Sequence, residues 1–303
     1  GNVGYRITPD FRLSAGFRYT WDAKKADADI GFAPPFGDQH SWSEPTWDIS
    51  GTYKIAPLLT AYGTISRGYQ SGGYPARPYG GADTFKPYNP VIATNYEVGL
   101  KGEPFPFLQE ELTLFDTEYK DLTAQVSEVT NAGFSTITEN AGKARSYGFE
   151  WESRARLGYG FFFNTSVGFD DAKYTQVKEG SSLKVDDTPA LTPKWTISAG
   201  PSYSTPVTGG GSIAVRVDYS YRSRMEGQPN NDPLAKIASR YLLNFDVTYT
   251  AASGGWTVGA YGKNVTDQRY YEGKLNVGDY VLNLLSNDAS EFGLKFSKTF
   301  DTK

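Results

Sequence analysis

The chain contains no cysteine, one histidine (His40) and one methionine (Met225). Without cysteine there is no disulfide framework, thiol nucleophile, zinc–thiolate site or iron–sulfur cluster. A single histidine excludes polyhistidine metal centres. Charge of one sign is also scarce: 30 Lys and Arg against 34 Asp and Glu leave a net charge of −4, which gives no footing for nucleic-acid binding. No apolar run approaches the ~18 residues of a spanning helix. One membrane class passes this filter, the transmembrane β-barrel, because its strands alternate apolar and polar residues and no window looks hydrophobic. Gly1 to Tyr5 lack the basic start, apolar stretch and small-residue cleavage site of a secretory signal, so an exported chain would be a mature form or a fragment.

Aromatics are abundant, with 22 Tyr, 18 Phe and 6 Trp in 303 residues, and they are placed with a period of two. Phe11, Leu13, Ala15, Phe17, Tyr19 and Trp21 share one parity, while Arg12, Ser14, Gly16, Arg18, Thr20 and Asp22 share the other. Strand side chains point to opposite faces in turn, so one face is apolar and the other polar. The same split recurs from Ile213 to Tyr221, from Tyr241 to Tyr249, from Tyr147 to Trp151 and from Phe292 to Phe300. Helical periodicity is poor throughout. One segment, Glu110 to Lys120, breaks the scheme, because Leu112 and Leu114 lie on one parity and Phe115 and Tyr119 on the other; a bulge near Leu114 would reset it.

Turn-rich segments cut the chain into thirteen candidate strands of about eleven to fourteen residues, longer than the usual ~5–6 of globular sheets. Short connections (Thr8–Asp10, Ala56–Leu58, Glu103–Gln109, Leu157–Gly160, Thr205–Gly211, Ala251–Gly255) interleave with long ones. The long ones are Lys24–Ser41, Ser71–Ala93, Asp121–Lys143, Thr175–Leu191, Met225–Ser239 and Asp267–Ala289. All short turns then fall on one rim and all long loops on the other, the polarity of an outer-membrane barrel. A soluble sandwich with one buried face would explain the alternation but has no reason to segregate loop lengths. Aromatics collect at both rims: Phe11, Tyr53, Phe161, Tyr203, Tyr249 and Trp256 beside short turns, and Trp21, Trp42, Tyr69, Tyr174, Trp195 and Tyr221 beside long loops. They are expected to form two girdles at headgroup level. The charged parity, including Glu150, Arg154, Arg216, Asp218 and Arg222, is expected to face the lumen, since a dry core would not tolerate these charges.

Several strings then resemble a known family in order along nearly the whole chain. They are Ser66-Arg67-Gly68-Tyr69-Gln70-Ser71-Gly72-Gly73, Asn95-Tyr96-Glu97-Val98-Gly99-Leu100-Lys101-Gly102-Glu103 and Tyr119-Lys120-Asp121-Leu122. They continue with Asn140-Ala141-Gly142-Lys143-Ala144-Arg145-Ser146-Tyr147-Gly148-Phe149-Glu150, Thr192-Pro193-Lys194-Trp195-Thr196 and Lys263-Asn264-Val265-Thr266-Asp267-Gln268-Arg269-Tyr270-Tyr271, and end with Glu291 to Phe300. Together they resemble the C-terminal barrel portion of TonB-dependent outer-membrane receptors of the siderophore type. The resemblance implies an all-β, antiparallel, up-and-down transmembrane barrel, with about 12–13 strands of a 22-stranded barrel in this chain. It implies that residues 1–303 are the C-terminal part of that barrel, with the N-terminal plug domain and the early strands absent. It implies a bacterial outer-membrane location, contact with outer-membrane lipid and uptake of a scarce ligand, foremost a ferric siderophore. The TonB–ExbB–ExbD complex would act only through the missing N-terminal region. The family usually stops at an aromatic; here Phe300 is followed by Asp301-Thr302-Lys303.

The loop from Arg67 to Tyr88 mixes cations with phenols. Guanidinium forks bind anionic oxygens, and tyrosines add stacking and hydroxyl donors. Arg67, Tyr69, Tyr74, Arg77, Tyr79 and Tyr88, with Arg145 where a long loop re-enters the wall, are therefore the candidate ligand contacts. Gly142 and Gly148 suggest a kink there. Asn264 to Asp267 carry turn-forming residues. No catalytic constellation, metal site or cofactor is expected: Asp186-Asp187 is a bare acidic pair, and His40 sits in a Pro- and Gly-rich loop. The alternative reading is a self-contained, porin-like diffusion channel, weakened by an odd strand count. An outer-membrane enzyme would lack catalytic residues, and an autotransporter translocator would need a helix feeding its pore.

Overall fold

The computed structural model describes residues 1–31, 34–76, 81–82, 85–130, 133–179, 181–277, 280–286 and 288–300. Ten long strands open the chain: β1 (Asn2–Arg6), β2 (Phe11–Ala28), β3 (Phe36–Ala56), β4 (Leu59–Gln70), β5 (Val91–Phe105), β6 (Leu108–Thr130), β7 (Gly133–Gly158), β8 (Phe161–Val177), β9 (Trp195–Pro206) and β10 (Ser212–Arg222). After them come β11 (Met225–Glu226), β12 (Lys236–Ile237), β13 (Arg240–Thr250), β14 (Trp256–Lys263), β15 (Tyr271–Val277), β16 (Tyr280–Leu285) and β17 (Glu291–Lys298). Thirteen of these form one sheet in the order β1 to β10, β13, β14, β17. The pairs β11–β12 and β15–β16 are separate two-stranded ribbons inserted in long connections. The sheet is antiparallel and strictly consecutive, so short turns and long loops fall on opposite rims, as the spacing predicted. Its outer strands β1 and β17 are not paired with each other among the described residues.

Register carries the odd–even pattern from strand to strand, because directly opposed residues share a face. Ala15 pairs with Ile49 and Ile49 with Ile65, which pairs with Tyr96. Across the other half, Trp151 pairs with Val167, Val167 with Ile197, Ile197 with Tyr221 and Tyr221 with Tyr241. These residues form a continuous apolar surface that nothing covers. Phe17, Tyr19 and Trp21 are 57%, 63% and 66% exposed, and Leu294 is 85% exposed. In a sandwich these side chains would be the best buried in the molecule. Here a buried apolar cluster, Ala124, Ala141, Ala144, Tyr174 and Leu183, lies at the long-loop end of β6–β8 instead. The wall is thus one layer thick, with its apolar parity turned to lipid.

The short-turn girdle is in place. Phe11 pairs with Tyr53, the Phe161 and Tyr203 rings lie 4.3 Å apart, and Tyr249 and Trp256 lie 5.4 Å apart, all on the apolar parity. The long-loop girdle is only half as expected. Trp21, Trp195 and Tyr221 face outward, with Trp195 packed on Phe149 and Phe169. Trp42 and Tyr174 do not: Trp42 pairs with Asp22 on the polar parity and Tyr174 with Ala144, and both are buried under loops. Tyr69 turns to Asp22, also away from the girdle.

Three further expectations are corrected. The segment Asp121–Lys143 is mostly ladder, pairing from Leu122–Gly142 to Thr130–Gly133, rather than loop. Its β-branched residues favour strand, and the alternation that would have revealed it is missing because neither face need be apolar beyond the bilayer. Likewise β2 and β3 continue to Ala28 and Phe36 inside the expected Lys24–Ser41 loop. Finally, the register of β5 against β6 runs unbroken from Ile92–Lys120 to Gly102–Glu110. There is no bulge at Leu114, so Phe115 and Tyr119 simply face inward opposite Glu97 and Ala93. The register shifts lie higher, around Leu122. There Gly142 has φ +149°, and a Cβ would run into the Gln176 carbonyl oxygen.

Candidate functional site

The five residues expected to face the lumen share the polar face of the sheet. Glu150 pairs with Gly168, Gly168 with Thr196 and Thr196 with Arg222. Arg154 pairs with Asn164, and Arg216 is flanked by Ser202 and Asp246. Asp218 faces Asn244. Two of the five are matched to each other. Arg216 Nε donates to both Asp218 oxygens at 2.9 Å, and Asp246 accepts from Lys295 and from the Thr248 hydroxyl. Glu152, Arg154, Asn164, Ser166, Asp218 and Asn244 line a concavity of about 340 Å³ on this face. Such a surface is wettable and suits contact with water or with a polar protein. A concavity of about 1010 Å³ beside β1 is lined from both faces, by outward Phe17 and Tyr19 and by Arg18, Asp48 and Ser66, and it lies at the free edge of the sheet.

At the long-loop rim the β3–β4 ladder ends at Trp47–Arg67, while β2–β3 and β4–β5 continue upward. Pro45 has no N–H to donate and sits at this point of separation. Arg67 fills the opening: its guanidinium donates to the Pro45 carbonyl oxygen and, at 2.7 Å, to Glu44 Oε2. Tyr69 donates to Asp22, and Tyr74 donates to Asp38 at 3.0 Å. Burial and the Asp38 carboxylate push the Tyr74 phenol above its ordinary pKa, which keeps it neutral and donating. Tyr88 exchanges backbone hydrogen bonds with Gly73. Lys24 Nζ donates to the Gly72 carbonyl at 2.6 Å and lies 5.6 Å from the Trp42 ring.

Four of the candidate ligand residues, Arg67, Tyr69, Tyr74 and Tyr88, are therefore gathered over β2–β4. Arg67, Tyr69 and Tyr74 are each bound to one of the protein's own carboxylates. In this state they clamp the loop. Arg77 and Tyr79 lie outside the described residues. Arg145 is elsewhere: it faces outward above the girdle, with Nε and Nη2 at 2.8 and 2.5 Å from the Asp116 oxygens and its guanidinium 5.6 Å from the Tyr147 ring. The sequence reading also missed the aromatic core of the loop. Tyr74 stacks on Phe85 at 5.0 Å, Phe85 meets Phe36 at 5.2 Å, and Trp42 lies between His40 and Tyr74. Its members come from two segments, Phe36, His40 and Trp42 on β3 and Tyr74 and Phe85 between β4 and β5, so no single stretch of sequence signalled it. Asn140, two residues before Gly142, has a side chain that links Asn89 to the Asp121 carbonyl. Asn264 is buried and binds Gln268 and Asp288 backbone atoms, as its turn-forming sequence suggested. Arg240 was not singled out at all; it faces Arg222 across β10–β13.

The profile of the family described as TonB dependent receptor-like, beta-barrel, matches residues 1–265. The chain belongs to this family of bacterial outer-membrane receptors. Among curated relatives of this TonB-dependent barrel, the pesticin receptor of Yersinia enterocolitica is 26% identical over 181 residues, covering 59% of the chain and 26% of that protein. The ferric-pyoverdine M114 receptor PbuA of Pseudomonas sp. is 26% identical over 194 residues, covering 60% and 22%. The crystal structure of the ferric yersiniabactin uptake receptor FyuA from Yersinia pestis superposes with a TM-score of 0.80 at 19% identity, over 97% of the chain and 44% of FyuA. At that identity the likeness is one of fold. The chain thus spans about a quarter of the length of the curated relatives it matches and under half of the solved one.

Proposed function

We propose that the TonB-dependent barrel described here is the C-terminal part of a receptor that imports a scarce ligand across the outer membrane, foremost an iron–siderophore complex. Residues 1–303 would supply thirteen strands of a barrel of about 22, and upstream strands would pair with the free edges of β1 and β17. A plug domain preceding them would pack on the polar wall and connect to TonB–ExbB–ExbD. The single observation that carries this reading is the family match over a wall with a charged, wettable inner face. The names of PbuA and FyuA, receptors for ferric pyoverdine and ferric yersiniabactin, favour iron chelates among the ligands such barrels take. A porin-like diffusion channel is not favoured, since the chain belongs to a receptor family. We read the chain as a receptor wall with no catalytic duty.

The test is genetic. Cells lacking the full-length gene should lose uptake of at least one radio-iron-loaded siderophore class among hydroxamates, catecholates and phenolates. The loss should be matched by deleting TonB and restored by the wild-type gene. Unchanged, TonB-independent uptake of every class would refute the assignment.

A further inference from the structure

At the long-loop end of the inner wall, Arg222 on β10 and Arg240 on β13 are direct cross-strand partners. Two like charges in that position repel. Arg222 Nε and Nη2 and Arg240 Nε are buried and make no hydrogen bond among the described residues. The Arg240 guanidinium lies 4.3 Å over the Tyr270 ring, and the Tyr270 hydroxyl is committed to Asp288. Glu272 is near enough to act on Arg222 electrostatically, but no hydrogen bond or ion pair joins them. Both arginines line a concavity of about 250 Å³ together with Ser166, Thr196, Ser198 and Ser220.

On the same face Arg216, by contrast, has Asp218 as its partner. A buried guanidinium without an acceptor is costly, and two opposed are costlier. An oxyanion between them would relieve both penalties at once. The forked N–H groups fit the two oxygens of a carboxylate, and the hydroxyls can complete its shell. Resting on the receptor reading above, we propose that Arg222 and Arg240 form a subsite for the carboxylate of a small aromatic ligand. The ligand enters from the long-loop side and lays its ring near Tyr270.

The experiment measures equilibrium binding of benzoate, and of its neutral isostere benzamide, to the full-length receptor that carries this chain. Benzoate binds saturably and benzamide does not. Arg222→Gln and Arg240→Gln each weaken benzoate about tenfold, as for loss of one charge-assisted hydrogen bond. Arg222→Lys, which keeps the charge and loses the fork, weakens it less and guards against a folding defect. Arg12→Gln, at the opposite rim, changes nothing. Equal binding of benzamide, no saturable benzoate binding, or unchanged affinity in both glutamine variants overturns the proposal. So does a fall in heat stability of the ligand-free glutamine variants with benzoate affinity intact, because a carboxylate of the protein's own upstream region would then be the partner. Radio-iron uptake is scored separately: its failure with benzoate binding retained counts against the siderophore reading and leaves the subsite standing.

Discussion

Ile49 and Ser50 are neighbours on β3 at the same depth, and they face opposite sides of the wall. Ile49 sits in the apolar row with Ala15 and Ile65, while the Ser50 hydroxyl meets Ser14 at 2.7 Å on the polar face. Tyr53, in the short-turn girdle, is four residues away, and Ser43, the partner of Trp21, is six away. With a rise of ~3.4 Å per residue and a tilt near 40°, Ile49 is about 10 Å from one girdle and about 16 Å from the other. Together these distances match the ~25 Å apolar band of such barrels, so Ile49 lies close to the bilayer midplane. Ile49→Arg should cost about 2–4 kcal/mol, roughly a 30- to 900-fold shift in the folding equilibrium. Ser50→Arg should cost about 1 kcal/mol or less, the value of one hydroxyl hydrogen bond. Urea unfolding of the full-length protein in bilayers, followed by tryptophan fluorescence and by the gel shift of unheated samples, reads the difference. Equal losses at both positions, or a greater loss at Ser50, would refute the assignment of faces.

Asn264→Ala should lower stability by about 3 kcal/mol, because the left-handed backbone there (φ 43°) suits Asn and three side-chain hydrogen bonds disappear; thermal melting checks it. Gly142→Ala should cost about 2–3 kcal/mol in the same assay, since the added Cβ meets the Gln176 carbonyl. Arg67→Met leaves Glu44 without its guanidinium, so amide exchange should speed up around Glu44–Trp47 and Ser66–Tyr69, with unchanged exchange in β9–β10 as the internal control. Burial and the hydrogen bond to Asp288 hold the Tyr270 phenol above the ordinary range. The stability it contributes is therefore complete below about pH 10 and is lost as pH climbs through its folded value. Phenolate absorbance of wild type against Tyr270→Phe should show one late-titrating group; its absence would mean the contact does not persist in solution.

The membrane-crossing part of the fold was legible because lipid imposes a rule on every second residue. From Phe11 to Trp21 and, apart from Ala214, from Ile213 to Tyr221 that rule is obeyed, and the thirteen strands and their rims follow from it. Legibility fades where the bilayer ends. Beyond Leu122 and Ala23 neither face must be apolar, so strand and loop have similar compositions and the extensions were read as loops. Trp42 and Tyr174 were misassigned for a related reason: near a rim an aromatic can serve the lipid interface or a small loop core, and only register separates the two. The inner-wall charges were found by parity alone. The clamps of Arg67, Tyr69 and Tyr74 on Glu44, Asp22 and Asp38 join residues 23 to 47 positions apart, and no local pattern marks them. Arg145, the cation beside the kink, lies on the outward parity with Asp116 as its partner, which composition alone did not reveal.

A wall one residue deep has no interior in which to hide an error of length. Deleting a single residue from β3 or β10 would exchange oil-facing and water-facing groups along the remainder of that strand. Insertions and deletions among descendants of this gene should therefore concentrate in the long-loop connections, where chain length can change without turning a strand inside out.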